Sequence, residues 1–279
     1  TNIGSHLPWK KTLYDTLIDC INKGMYTVQF FLGNPRSTKR SILSKHDIDN
    51  SIELLQYWDI KIFSHAPYIY NLAGKKDTLA WNGNSDVDNK LKTILNSLSY
   101  ELGILSKVCG GVIIHPGNYT NRIDGLKAIS TSINKINFTS NSLLLLENSA
   151  GQGTSLATTL DELREIIDGV IDKYQCYIGV CIDTAHLFGY GEYDIRNIQE
   201  IDRFFADFDE KIGLDRLKLF HLNDSKVVFG SKKDRHETIG DGFIWKDNIN
   251  TMNYLLFRLK ELNVPCVLET HPSDIKKFC

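Results

Sequence analysis

Six apolar runs end in, or lead straight into, a side chain that can bind a metal: His65, His115, Glu147, Asp183, His221 and Glu269. Three more follow nearby, His186 three positions after Asp183, and Asp234 with His236 in the stretch after His221. Histidine and carboxylate are the ligand types of zinc and related divalent metals. The Asp-x-His spacing leaves both side chains on one side of an extended segment, because side chains alternate with period two. Taken singly, each residue is as well explained as a capped or solvated polar group. Together they are not, since apolar strands stabilise a core without them and grouped carboxylates repel unless a cation is present. Nine donors exceed one tetrahedral site and suit two or three ions sharing a bridging carboxylate. The chemistry expected is metal-assisted hydrolysis, in which ions about 3.5 to 4 Å apart clamp the attacking and leaving oxygens of a phosphoryl displacement. No organic cofactor or nucleophilic side chain is needed. Ser149, after Glu147-Asn148, lies in no Gly-x-Ser-x-Gly elbow. His46 is expected on the surface, whereas His6 and His271 fall near the ligands and could support them.

These residues need elements that bring them to one place. Strands are expected at residues 3–6, 26–31, 60–64, 111–115, 143–147, 178–183, 217–221 and 265–269, short runs without polar alternation, as in strands buried on both faces. Helical spacing fills residues 10–22, 46–58, 87–108, 124–136, 160–171, 197–212 and 247–262. Thr159 with Glu162 makes a capping-box signature. Eight β-α alternations predict an α/β fold, a single (β/α)8 TIM barrel over residues 1–279, with the eighth helix absent or reduced to residues 274–278. In such a barrel the carboxyl ends of the strands converge on one face, which is where the donors fall. A doubly wound open sheet is the competing fold. It would want a glycine-rich phosphate loop after the first strand, and Gly4 is followed by Ser5-His6-Leu7-Pro8.

Composition narrows the classes further. With 279 residues, 42% hydrophobic and 24% charged, the chain has the profile of a globular protein. No apolar run approaches the roughly 18 to 20 residues of a membrane span, and no basic-then-apolar leader pattern is seen, so no membrane partner is expected. The six cysteines form no Cys-x-x-Cys pair, and a chain this long needs no disulfides, so buried thiols and a reducing intracellular compartment are expected. A formal net charge of −2 excludes a basic-arm nucleic-acid binder. It does not exclude DNA, because three divalent ions would turn −2 into +4 at the barrel mouth.

The segments Glu147-Asn148-Ser149-Ala150-Gly151-Gln152-Gly153, Gly179-Val180-Cys181-Ile182-Asp183-Thr184-Ala185-His186 and His221-Leu222-Asn223-Asp224-Ser225-Lys226 carry a specific pattern. Phe229-Gly230-Ser231, Asp234-Arg235-His236, Gly240-Asp241-Gly242 and Leu268-Glu269-Thr270 continue it. In order and spacing the sequence resembles the endonuclease IV family of apurinic/apyrimidinic endonucleases over nearly its whole length. That resemblance implies a (β/α)8 barrel with three zinc ions, manganese or iron being possible in some sites. It implies one ion on His65, His115 and Glu147, a second on Glu147, Asp183, His221 and Glu269, and a third on His186, Asp234 and His236. The implied reaction is hydrolysis of the phosphodiester 5′ to an abasic site in duplex DNA, leaving a 3′-hydroxyl and a 5′-deoxyribose phosphate, with 3′-phosphodiesterase trimming. Glu269, alongside Glu147, is the candidate catalytic group, positioning or deprotonating the attacking water. Arg36 and Tyr68 match the family's DNA-inserting side chains, and an arginine and an aromatic suit the gap left by a flipped nucleotide. The family's small-residue loop after the first histidine is replaced here by Leu7-Pro8-Trp9-Lys10-Lys11, and the chain after strand eight is short. A monomer is expected. Two rivals are weighed: a sugar isomerase or epimerase of the xylose-isomerase-like barrel class, which would not need His186, Asp234 and His236, and a catalytically silent lesion-binding protein, in which ligands would be the first residues lost.

Overall fold

In a computed structural model, which describes residues 2–74 and 86–278, eight parallel strands close into a barrel. They are β1 (Ile3–His6), β2 (Thr27–Phe30), β3 (Lys61–His65), β4 (Gly111–Ile114), β5 (Leu144–Glu147), β6 (Ile178–Asp183), β7 (Leu217–His221) and, after a two-stranded ribbon of β8 (Asp224–Ser225) and β9 (His236–Glu237), β10 (Cys266–Leu268). The ring runs β1-β10-β7-β6-β5-β4-β3-β2. Each strand is 3 to 6 residues long, and nearly every residue in them is buried because helices cover the outer face. Phe63, Ile113, Leu145, Cys181, Leu219 and Val267 fill the interior as one packed layer beneath the mouth. Gly4 is required where β1 meets β2: a Cβ there would lie 1.6 Å from the Thr27 carbonyl oxygen.

The helices are α1 (Leu13–Asn22), α2 (Lys45–Trp58), α3 (Asp86–Leu105), α4 (Arg122–Ile133), α5 (Leu160–Asp168), the single turn α6 (Asp172–Gln175), α7 (Thr184–Tyr190), α8 (Ile198–Lys211) and α9 (Ile249–Glu261). Thr12, Ser44, Asn121 and Thr159 cap their helices by accepting a backbone N–H three residues on. The Thr159–Glu162 box is only half made. Glu162 reaches the Thr158 N–H and the Arg122 guanidinium instead of closing on Thr159. Seven of these helices answer the expected segments with ends shifted by up to three residues. The eighth helix is reduced to a 3-10 turn, Pro272–Lys277. The single turn α6, α7 and the ribbon were not expected, and the last two serve the mouth of the barrel. Among the described residues no helix is long and apolar enough to cross a membrane. Cys20, Cys181 and Cys266 are buried and Cys109 and Cys176 exposed, all free, while Cys279 lies outside the described residues.

Candidate metal centre

All nine donor residues meet at the carboxyl ends of the strands. His65, Glu147, Asp183 and His221 close β3, β5, β6 and β7, while His115 and Glu269 stand one residue beyond β4 and β10. His186 lies in the first turn of α7, and β9 with the loop before it presents His236 and Asp234. Asp183 has two tasks. It ends a strand and caps α7, its Oδ1 accepting the His186 N–H at 2.8 Å, so strand end and helix start are locked together.

The donors form three adjoining groups, the first two joined through Glu147 and the third bordered by Asp183. Its Oε2 lies 3.1 Å from His65 Nε2 and 3.5 Å from His115 Nε2. Its Oε1 faces the other way, 2.9 Å from His221 Nδ1, which is also 3.3 Å from Glu269 Oε2 and 3.8 Å from Asp183 Oδ2. In the third group Asp234 spans two rings, with Oδ2 3.2 Å from His186 Nε2 and Oδ1 3.2 Å from His236 Nε2. Asp183 Oδ2 is 3.6 Å from His236 Nε2, so it borders this group as well as the second. Tetrahedral ligands at zinc bond lengths stand about 3.4 Å apart, and these separations scatter around that value.

The ring tautomers make the case for cations stronger. His65 Nδ1 donates to the Ala66 carbonyl at 2.7 Å, His186 Nδ1 to the Asn148 carbonyl at 2.9 Å, and His221 Nε2 to the Gln29 side-chain carbonyl at 2.7 Å. Each ring therefore turns its other nitrogen to a carboxylate, and two lone pairs so close need a proton or a metal ion between them. His236 Nε2 is buried with no hydrogen-bond partner despite its two carboxylate neighbours. Burial by itself would raise the Glu147 carboxyl, yet His115, His221 and His65 hold it well below the usual range. Burial likewise works against charge on His186, and Asp183, Asp234 and Glu147 push it well above the ordinary histidine value. Against burial, His221 and His65 draw the Glu269 carboxyl down to about 2. A cluster of this composition fits divalent metal on the chemistry of its donors.

Neutral groups pin the donors in place. Asn223 gives its amide to Asp183 Oδ2 at 2.5 Å and to Glu269 Oε2 at 3.0 Å, and takes the Glu269 N–H at 3.2 Å. Asn148 takes the Asp183 N–H at 2.7 Å. Asp224, fully buried, accepts the N–H groups of Ser225, Gly240, Gly242, Ile244 and Trp245, so one carboxylate folds both ends of the loop that carries Asp234 and His236. This explains the Gly-Asp-Gly motif, since a Cβ on Gly242 would stand 2.5 Å from Asp224 Oδ1. Gln29, Asn148 and Asn223 were given no role by sequence. The two asparagines follow ligands at one and two residues, a positional signal, whereas Gln29 is a lone polar residue within an apolar strand.

The supporting histidines divide. His6 packs on Phe31 and contacts Gln29 at 3.0 Å; burial lowers it to about 4, so the neutral ring accepts there. His271 is exposed and bonds Ser273, so the structure gives it no contact with the ligands. His46 is exposed on α2, as expected. Arg36 and Tyr68 stand on the rim. Arg36 is exposed, and Tyr68, 62% exposed, leans its ring on Phe31 at 5.2 Å. Their loops are tied by the Tyr68 N–H donating to the Pro35 carbonyl at 3.0 Å. In the altered loop after His6, Leu7 is buried and Trp9 packs on Phe30. Two cavities open over the donors. One of about 550 Å³ is lined by His65, His115, His186, His236 and Glu269, and a neighbour of about 410 Å³ runs past Asn118, Ser149 and Gln152 to Arg235.

Comparison with known proteins separates nuclease from isomerase on the same scaffold. Residues 19–277 match the family model described as "Xylose isomerase-like TIM barrel". A relative from Methanosphaera stadtmanae named "Probable endonuclease 4" is 36% identical over 281 residues, covering 99% of this chain and 95% of its own. The chain belongs to the endonuclease IV family. Endonuclease IV from Thermus thermophilus superposes with a TM-score of 0.80 at 23% identity, over 99% of this chain and 96% of that one. A D-tagatose 3-epimerase-like protein shares the fold less closely, with a TM-score of 0.67 at 17% identity over 99% and 94%. Both of these speak to the barrel alone. As an endonuclease IV family enzyme, the chain brings its nine candidate donors to one face of the barrel.

Proposed function

We propose that this protein is a zinc-dependent DNA-repair endonuclease that hydrolyses the phosphodiester 5′ to abasic sites in duplex DNA, leaving a 3′-hydroxyl and a 5′-deoxyribose phosphate. The observation that carries this reading is the third donor group, His186–Asp234–His236, adjoining two groups that already share Glu147. A sugar isomerase has no need of it, and a silent binder has no reason to keep nine donors oriented. His65, His115 and Glu147 would hold one ion, Glu147, Asp183, His221 and Glu269 a second, and His186, Asp234 and His236 a third. Bound zinc would supply charge neutralisation and polarisation of the phosphate oxygens.

The chain's own residues do the rest. Glu269, ionised and held on both oxygens by amide donors, accepts a hydrogen bond from the attacking water and aims it at phosphorus. Arg36 and Tyr68, on tied loops, fill the space of an extruded nucleotide. The cavities beside the donors leave room for a sugar-phosphate unit while apolar Leu156, Ala150 and Pro116 line one side. The same site would trim blocked 3′ ends as a phosphodiesterase. We read the enzyme as a monomer in a reducing intracellular compartment, in keeping with free thiols at every described cysteine.

The test is incision of a labelled duplex carrying one abasic analogue, assayed beside ketose epimerisation. The expected result is a single cut 5′ to the lesion whose 3′ end a polymerase extends. Metal-loaded protein that leaves the duplex whole and converts a sugar would overturn the reading.

A further inference from the structure

Gln29 on β2 meets polar side chains from β1, from β7 and from the residue just after β10. It is fully buried and central in β2. Its Oε1 accepts from His221 Nε2 at 2.7 Å, and its Nε2 donates to Glu269 Oε1 at 2.7 Å and to His6 Nδ1 at 3.0 Å. Every polar capacity of the amide but one lone pair is in use. Its orientation is fixed by its partners, because turning the amide over would set its carbonyl against the Glu269 carboxylate.

We infer that Gln29 is a positioning residue that sets the His221 ring with Nδ1 toward the metal donors and holds Glu269 in line for the attacking water. One amide thus governs two ligands of the second group at once. Asn223 holds the opposite Glu269 oxygen at 3.0 Å, so the carboxylate is gripped from both sides and cannot swing about its last bond. His6 closes the chain behind Gln29, which gives it a part that reaches the ligands only through the amide. Outer partners of metal ligands of this kind typically change metal affinity or activity by about 10- to 100-fold when removed. The inference rests on the metal reading of the site, and on the nuclease reading only through its rate arm.

The experiment compares wild type with Gln29→Met and Gln29→Glu in two measurements. The first is zinc retention against a chelator, without DNA; the second is incision of the abasic duplex, resolved into kcat and KM. Gln29→Met keeps the volume but loses all three hydrogen bonds, and is expected to hold zinc about 10- to 100-fold more weakly and to lose kcat to a similar degree. Its KM and unfolding temperature should stay near wild type, which a merely loosened barrel would not show. Gln29→Glu keeps an acceptor for His221 but opposes Glu269, itself a ligand of the second group, so it should hold zinc more weakly than wild type and lose kcat. Should Gln29→Met fail to fold, this second variant decides. Wild-type zinc retention and kcat in a folded Gln29→Met, or wild-type kcat in Gln29→Glu, would overturn the inference. If wild type itself does not cut the duplex, the nuclease reading fails, while the chelator arm still judges Gln29.

Discussion

The floor and the rim of the barrel mouth are built by different means. On the floor, the donors sit on or near strand ends and almost every polar atom near them has a partner: Gln29, Asn148 and Asn223 are buried and hydrogen-bonded. On the rim, Arg36 and Tyr68 are exposed, and what holds them is backbone and buried side chains behind the loop. The Tyr68 N–H bonds the Pro35 carbonyl, Ser97 on α3 donates to the Thr38 carbonyl at 2.6 Å, and Arg40 lies buried 3.8 Å from Glu101. On the proposed reading, chemistry that needs atoms fixed to fractions of an ångström sits on strands, and contact with a long, deformable substrate on loops. The two can be separated by experiment.

The largest effect belongs to the floor. Glu269→Gln keeps the shape but removes the charge that aims the water, and should slow incision by about 10²- to 10⁴-fold while the duplex still binds. An incision rate within a factor of a few of wild type would move the catalytic role elsewhere on the floor. Next is the loop that joins floor to rim. Asp224→Ala strands five N–H donors, should destabilise the fold by about 3 kcal/mol or more, and should lower the zinc content by the third ion first. Calorimetry and metal analysis read both effects, and an even loss from all three groups would contradict the assignment of Asp224 to the Asp234–His236 loop.

Behind the rim, burial lifts the Glu101 carboxyl to about 7. The folded chain therefore holds this proton more tightly than the unfolded chain, whose value is 4.5. The stabilisation is complete below that unfolded value and is lost as pH rises through the folded one. Wild type should accordingly fall by about 3 kcal/mol relative to Glu101→Gln between those limits, as denaturant curves across pH will show; parallel curves would mean that Glu101 does not titrate there. The smallest effect is Tyr68→Ala, expected to weaken binding to the abasic duplex by about 1 to 3 kcal/mol with zinc content unchanged. Loss of zinc in that variant would place Tyr68 on the floor, behind His65, and blur the division.

The same division explains what the sequence revealed. Apolar runs ending in His or carboxylate expose a barrel floor directly, because nothing in packing calls for a ligand at the end of a buried strand. Asp183 shows the limit: as strand end and helix cap together it left no gap in which α7 could be recognised, although Gly191, left-handed at φ 86°, marks that helix's end. Gln29 was invisible because its partners, His6, His221 and Glu269, lie 23, 192 and 240 residues away. The Arg40–Glu101 pair was hidden for the same reason, a loop charge and a helix charge meeting only in the folded chain. Arg36 and Tyr68 came from family resemblance, since an exposed arginine or tyrosine carries no periodic signal of its own.

The central claim is that three adjoining donor groups at the mouth of this barrel make one metal-dependent nuclease. It is tested most directly by stripping the protein with chelator and returning zinc stepwise, measuring bound ions and abasic-duplex incision in the same samples. No cut is expected without metal, and full rate only as the third ion per chain is taken up. Incision by the stripped protein, or full rate with the His186–Asp234–His236 group empty, would contradict it.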